Sequence, residues 1–296
     1  MKKLTFIPPD QLLDALSSAL FEAGALGLQE GVGSLITYVA SEEEEQRLRL
    51  AVHELEASWG ETQPDAQVLI ECEEIDDSWQ ETWQNALEAV NLTPEWVLRP
   101  THQAPAPKGE HTIWFQPEAS FGDGSHPTTQ LAAGATVQWL KGRAQLSAKS
   151  PAILDMGTGN GVLSLVALKE AERLALPLAP ILAIDNDEVA TRSFQQNMQL
   201  NALGDRHVDI VLGEINLVTA DFDLILANIN TPVLLEIGDQ LANHLKPGAS
   251  LIFTGLLVDD EPALRQKMAT TDLVLVDVQR RGEWSLMHFE RAASVT

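Results

Sequence analysis

The heptapeptide Asp155-Met156-Gly157-Thr158-Gly159-Asn160-Gly161 constrains this chain more than any other segment. It follows the apolar stretch Ile153-Leu154 and opens an apolar run, Val162 to Ala171, with helical spacing. Strand, glycine turn and helix in direct succession belong to an open α/β sheet, and such sheets bind ligands beyond the carboxyl ends of their strands. Glycine supplies backbone with positive φ and lets a ligand come close to the main chain. The dinucleotide fingerprint G-x-G-x-x-G needs a glycine at position 162, where this chain has Val162.

The alternation continues downstream. Ile181 to Asp185 is an apolar strand ending in an acid, and Glu188 to Leu200 reads as the next helix. Val208–Leu212, Leu224–Ala227, Leu251–Gly255 and Leu273–Val278 are further strand candidates. Their apolar runs are continuous, which is the mark of a sheet buried on both faces, and the intervening helices make it mostly parallel.

The amino-terminal part has a different rhythm. Leu4–Ile7, Ser34–Val39 and Val68–Ile70 read as strands. Between them, Asp10–Ala23 carries apolar residues at helical spacing, with Asp10 as a cap and Gly24 as a stop. Ser41 followed by four glutamates starts a helix that runs to Trp59, with the acids at the favourable end of its dipole. This predicts a small α+β ferredoxin-like unit over residues 1–72. Residues 73–110 are expected to be a linker with a helix capped by Asp76-Asp77-Ser78. Trp79, Trp83 and Trp96 in that stretch are read as packing residues, and His102–Gly109 as a loop rich in Pro and Ala. The third segment, 111–296, is the sheet domain.

Composition removes several functions. Nineteen Lys and Arg against 43 Asp and Glu leave a formal net charge of −24. Binding that depends on phosphate contacts or on an anionic membrane surface needs the opposite sign. No nucleic-acid or membrane partner is therefore expected, whereas a basic protein fits the field. The single cysteine, Cys72, excludes an internal disulfide and a cysteine-cluster zinc site, so no metal is expected. The N-terminus meets Pro8-Pro9 before an apolar leader forms, and no apolar stretch reaches membrane-spanning length. A soluble cytoplasmic protein is the expectation.

Four features locate the chemistry. The spacing D-x-G-x-G-x-G over Asp155, Gly157, Gly159 and Gly161 resembles that of S-adenosylmethionine (AdoMet) methyltransferases. There Asp155 suits either the ligand's ammonium group or the ordering of the loop. Asp185, ending the next strand, is placed to accept hydrogen bonds from ribose hydroxyls, while Asp187 reads as a helix cap. Asn228 ends the strand Leu224–Ala227 at the same sheet edge, in Asn228-Ile229-Asn230-Thr231-Pro232. Methyltransferases that act on planar nitrogens often carry an aromatic residue in this loop. This one has none, which disfavours an adenine or glutamine-amide acceptor unless Phe253 or Trp284 compensates. Finally, Phe121-Gly-Asp-Gly-Ser-His-Pro-Thr-Thr129 reads as a turn before a helix, in which His126 is either a general base or a residue that orders the loop.

Taken in order, these motifs resemble the ribosomal protein L11 methyltransferase family (PrmA). Phe121–Thr129 resembles its F-G-T-G-x-H-P-T-T segment, and Ile153–Leu163 its glycine loop. Ala183–Asp187 is similar to its A-x-D-x-D turn, Asn197–Asn201 to its N-x-x-x-N, and Leu226–Ile229 to its V-A-N-I. Leu245–Gly248, Gly255–Leu257 and Gly282-Glu283-Trp284 are similar to its L-K-P-G, G-I-L and G-E-W. Asp123 stands where the family usually has Thr, and Gln84-Asn85 where it tends to have Lys.

The resemblance implies a Rossmann-like class I methyltransferase domain preceded by a ferredoxin-like substrate-recognition domain. It implies AdoMet contacts at Thr129, Gly157, Asp185 and Asn228, with Phe121, His126, Asp155, Gly159 and Gly161 completing the cofactor side. It also implies N-methylation of lysine, and of an N-terminal amine, in ribosomal protein L11; Asn228 and its backbone neighbours are further expected to lie near the acceptor nitrogen as the catalytic position. Three alternatives stand beside this: a methyltransferase of another protein or a small molecule, a non-catalytic AdoMet-binding assembly factor, and a nucleotide-dependent oxidoreductase.

Overall fold

Strand β1 (Lys2–Ile7) buries Leu4 and Phe6 on one side and turns Thr5 and Ile7 to the other, the two-residue period of a half-covered sheet. In the computed structural model it pairs with β3 (Ser34–Val39) on one flank and β4 (Leu69–Glu74) on the other, both antiparallel. The model describes residues 2–9, 13–25, 28–31, 33–39, 41–59, 67–74, 88–103, 105–116, 124–146, 150–204, 206 and 208–293. Its contacts divide the chain into two units, Met1–Ala86 and Leu87–Thr296.

The first unit has the order β1, α1 (Leu13–Glu22), β2 (Gln29–Gly31), β3, α2 (Glu42–Trp59), β4, with its sheet arranged β2-β3-β1-β4. That is the ferredoxin-like arrangement. The three-residue β2 is absent from the sequence reading, because so short a strand carries no periodic signal. Leu16, Leu20, Leu48 and Val52 come from the two helices, in pairs four apart, and meet Leu4, Phe6, Leu35 and Val39 in one core. Gly24, at φ 92°, ends α1, and the Ala25 amide reaches back to the Leu20 carbonyl. The Ser41 hydroxyl accepts from the Glu44 amide, capping α2 as expected. Asp10, Trp79, Trp83 and the 76–78 cap lie outside the described residues.

The second unit is built on a seven-stranded sheet ordered β10-β9-β8-β11-β12-β14-β13. Its strands are β8 (Ile153–Met156), β9 (Ile181–Asp185), β10 (Val208–Leu212), β11 (Phe222–Asn228), β12 (Leu245–Leu257), β13 (Leu273–Arg281) and β14 (Trp284–Arg291). Only β14 runs against the others. This is the Rossmann-like order, with helices on both faces. Alternate residues of each strand feed two cores. Ile153, Ala183, Leu226 and Ile252 face α3 (Pro127–Gln145), α4 (Val162–Arg173) and α5 (Glu188–Leu200). Leu154, Ile184, Ile225 and Phe253 face α6 (Thr231–Asn243) and α7 (Glu261–Met268). The continuous apolar strands follow from this double covering.

Two parts of this unit differ from the sequence reading. The strand at 284–291 is missing from it, because His288 and Glu290 break the apolar run of an antiparallel strand. Residues 88–110, expected to belong to a linker, contribute β5 (Val90–Asn91) and β6 (Val97–Pro100), which form a three-stranded sheet with β7 (Thr112–Phe115). Leu92, Trp96 and Leu98 are buried in the main core. The Trp96 indole donates to Glu170, a fully buried carboxylate that Arg173 also holds through two nitrogens.

Beneath the β13–β14 hairpin, Glu261 accepts two hydrogen bonds from Arg280 and one from the buried Ser285 hydroxyl. The Arg280 guanidinium is the main cause that holds the Glu261 carboxyl at about 2, below its ordinary 4.5. The folded state therefore favours the ionised form. Its contribution is complete above about pH 4.5 and is lost as pH falls toward 2. Glu261→Gln is expected to lower Tm by several degrees near neutrality. Its deficit against the parent protein should shrink below pH 4.5, read by thermal unfolding across pH; a deficit that stays constant to pH 2.5 contradicts this.

Candidate functional site

At the carboxyl end of β8 the chain must leave a buried strand and enter α4 within five residues. Gly157 and Gly161 take the left-handed conformation, φ 70° and 84°. A Cβ on Gly157 would lie 2.2 Å from the Ile229 side chain, and one on Gly161 would enter the Phe194 ring at 2.0 Å. These two positions therefore need glycine for space as well as for conformation.

Two carboxylates fix the turn from opposite sides. Asp155 is 1% exposed, and its Oδ2 accepts from the hydroxyls of Thr158 at 2.9 Å and Ser164 at 2.6 Å. Burial pushes its carboxyl up, opposed by those two hydrogen bonds. Asp155 thus orders the loop from beneath, the second of the two roles expected for it. Asp185 approaches from β9, with Oδ2 accepting from the Gly159 amide at 2.8 Å and Oδ1 from the Asp187 amide at 3.0 Å. Asp187 caps α5 through the Val189 amide, as its position indicates.

Above this turn lies a cleft of roughly 780 Å³, within the usual range for small-molecule sites. His126, Gly157, Asp185 and Asn228 line it among the expected residues. Asp155, Gly159 and Gly161 form the layer that supports it. Thr129 is 3% exposed in the first turn of α3. Phe121 and Asp123 lie outside the described residues. The sequence reading omits the turn Gly213–Asn216 and Glu236 of α6, which also line the cleft. The turn is foreseeable from the same sheet-edge rule, since it follows β10; Glu236 depends on which face of α6 turns inward.

The other expectations resolve geometrically. His126 is the cap of α3: its Nδ1 accepts from the Thr128 amide and sits 2.6 Å from the Thr128 hydroxyl. The cap occupies Nδ1, which favours the loop-ordering reading over the general base. The His126 ring meets Trp284 edge-on at 4.5 Å, and Trp284 lines the cleft. Phe253, the other aromatic considered, is fully buried against Phe289 and is not among the residues that line the cleft. The Asn197 and Asn201 side chains clasp main-chain groups of Gln116 and Trp114 at the β7 end, so this asparagine pair is structural.

Among the described residues, Thr129 Oγ1 and Asn228 Oδ1 are buried oxygens with no hydrogen-bond partner in the protein, and Asn228 lines the cleft. An unmet buried acceptor costs about 1–3 kcal/mol, so such atoms mark places where a ligand or water completes the site. A carboxylate facing the cleft, a close-approach glycine and the unpartnered Asn228 Oδ1 suit a ligand with hydroxyl and amine donors. That donor set fits the ribose and amino-acid ends of AdoMet. Among the described residues no group of three or more His, Cys, Asp or Glu could hold a metal ion.

The family pattern described as Ribosomal protein L11 methyltransferase (PrmA) matches residues 15–292. A ribosomal protein L11 methyltransferase of Bacteroides fragilis is 29% identical over 283 residues, 93% of this chain and 93% of that one. One from Sorangium cellulosum is 32% identical over 267 residues, 86% of this chain and 79% of its own. The crystal structure of a ribosomal protein L11 methylase from Lactobacillus delbrueckii subsp. bulgaricus superposes with a TM-score of 0.58 at 26% identity, covering 69% of this chain and 99% of that chain.

Gly157→Ala is expected to weaken AdoMet binding at least tenfold by forcing Ile229 and the turn apart. Asp185→Ala should do the same by removing both a ligand acceptor and the Gly159 anchor; one lost charge-assisted hydrogen bond is worth about that factor. Calorimetric titration checks both, and an unchanged affinity in either variant removes that residue from the site.

Proposed function

The chain belongs to the ribosomal protein L11 methyltransferase family, and on that premise we propose that it methylates amine nitrogens of ribosomal protein L11, at lysine side chains and at the N-terminus. The observation that carries this reading is the unpartnered Asn228 Oδ1 in the cleft that Gly157 and Asp185 also line. Asp185 accepts from the ribose hydroxyls of AdoMet. Gly157 admits its amino-acid end, Thr129 Oγ1 supplies a further contact, and Gly159 and Gly161 keep the turn in shape. When bound, AdoMet supplies an electrophilic methyl group on a sulfonium centre.

The protein's own task is then alignment and proton control. Asn228 Oδ1 accepts a hydrogen bond from the acceptor amine and turns its lone pair toward the methyl group. The amine must arrive neutral, and removing a lysine from water lowers its pKa, so no dedicated base is needed. Trp284 gives that side of the cleft the flat wall that the Asn228–Pro232 loop lacks. Residues 1–72 serve as the substrate-docking domain and 111–296 as the catalytic domain, working in the cytoplasm; because β5 and β6 belong to the second unit, the linker expected over 73–110 narrows to the residues before 88. The net charge of −24 favours encounter with a basic substrate. No helix among the described residues is long and apolar enough to cross a membrane.

With methyl-labelled AdoMet and purified L11, label is expected on lysine and N-terminal amines of L11 by peptide mass spectrometry. Tight AdoMet binding with no transfer to L11 overturns the substrate assignment. Asn228→Ala should lower kcat by roughly 10²-fold, the usual scale for removing one aligned polar group. Raising the salt from low to physiological strength should lower kcat/KM for L11 more than kcat/KM for AdoMet; equal insensitivity of both means that the acidity does not steer the substrate.

A further inference from the structure

Gln130 sits one turn into α3, outside the cleft lining, yet its side-chain amide makes three contacts. Nε2 donates to the carbonyls of Gly124 and Ser125, both at 3.1 Å. Oε1 accepts from Arg281 at the end of β13. Carbonyls only accept and a guanidinium only donates, so the amide has one consistent orientation. Gly124, at φ 76°, is pressed against the buried Leu98 and Leu92: a Cβ there would lie 2.5 Å from Leu98 Cδ2. The hairpin that supplies Arg281 is itself anchored through Arg280 and Ser285 to Glu261. Across its turn, Trp284 packs on His126, the residue that follows Ser125.

We infer that Gln130 is a positioning residue that ties the backbone at 124–125 to the tip of the β13–β14 hairpin, so that His126 and Trp284 form a preformed rim of the cleft. Each end of the tie has an independent support: the leucines beneath Gly124 at one end, Glu261 beneath the hairpin at the other. The tie spans two elements far apart in sequence, which a cap confined to α3 would not need to do. The rim's role in ligand binding rests on the reading of the cleft as the AdoMet site; the tie itself does not.

Glutamate at this position separates the two halves of the contact. Gln130→Glu keeps an acceptor for Arg281 but cannot donate to the two carbonyls. Hydrogen exchange on a peptide covering 124–130 needs no ligand and reads the tie directly. Exchange there is expected to rise about tenfold in both Q130E and Q130A, the factor expected for one lost net hydrogen bond. Calorimetry with S-adenosylhomocysteine should show affinity weakened about tenfold in both variants, with Tm within about two degrees of the parent. R281A should weaken binding less, and add nothing on top of Q130A. Unchanged exchange in both variants, or parental affinity in Q130E, overturns the inference. Raised exchange in a protein that fails to bind S-adenosylhomocysteine at all supports the tie and overturns the cofactor reading instead.

Discussion

The architecture of the site depends on one sealed carboxylate. Asp155 is placed a residue before the end of β8, so the strand's pleat turns its side chain inward, under the glycine turn. There it is sealed from solvent and accepts from two hydroxyls, and a buried acid without partners is too costly to keep. Thr158 and Ser164 must therefore come to it, and they bring the turn and the first coil of α4 into register. Asp185 ends β9, one strand over, and stays half-exposed. It holds the same turn through the Gly159 amide while keeping a face toward the cleft. Two aspartates at two strand ends thus hold one turn, Asp155 from beneath and Asp185 from the side that faces the cleft.

That division marks where sequence reading succeeds and where it stops. The glycine turn and Asp185 with the helices after them, and Asn228 at its strand end, are local signals, carried by apolar runs and by the rule that ligands bind at the carboxyl edge. Their positions agree with the structure to within a residue or two. Whether Asp155 touches ligand or lies beneath the turn depends on the phase of the pleat and on what covers it, and the sequence leaves both roles open. The strands β2 and β14 escape notice for similar reasons: one is three residues long, and the other carries His288 and Glu290 in the midst of its apolar positions. Trp96 reads as a linker tryptophan until Glu170, 74 positions away, is found as the partner of its indole.

The cleft owes its shape to segments from several places in the chain. The β8 turn forms its floor, the β11 end with Ile229 and Asn230 forms one wall, and His126 with Trp284 forms the rim. Gly255 allows the wall to close, since a Cβ there would meet the Ile229 carbonyl at 2.3 Å. Each of these segments is a short break in an otherwise regular strand or helix, so the rigid sheet sets the geometry and the breaks set the chemistry.

The central claim is that this cleft holds AdoMet with its ribose on Asp185 and its methyl group beside Asn228. A crystal structure with S-adenosylhomocysteine tests it most directly. The account requires both ribose hydroxyls within hydrogen-bond distance of the Asp185 carboxylate, the amino-acid end over Gly157, and the sulfur facing Asn228. Ligand density elsewhere, or a bound ligand whose ribose leaves Asp185 untouched, would contradict it.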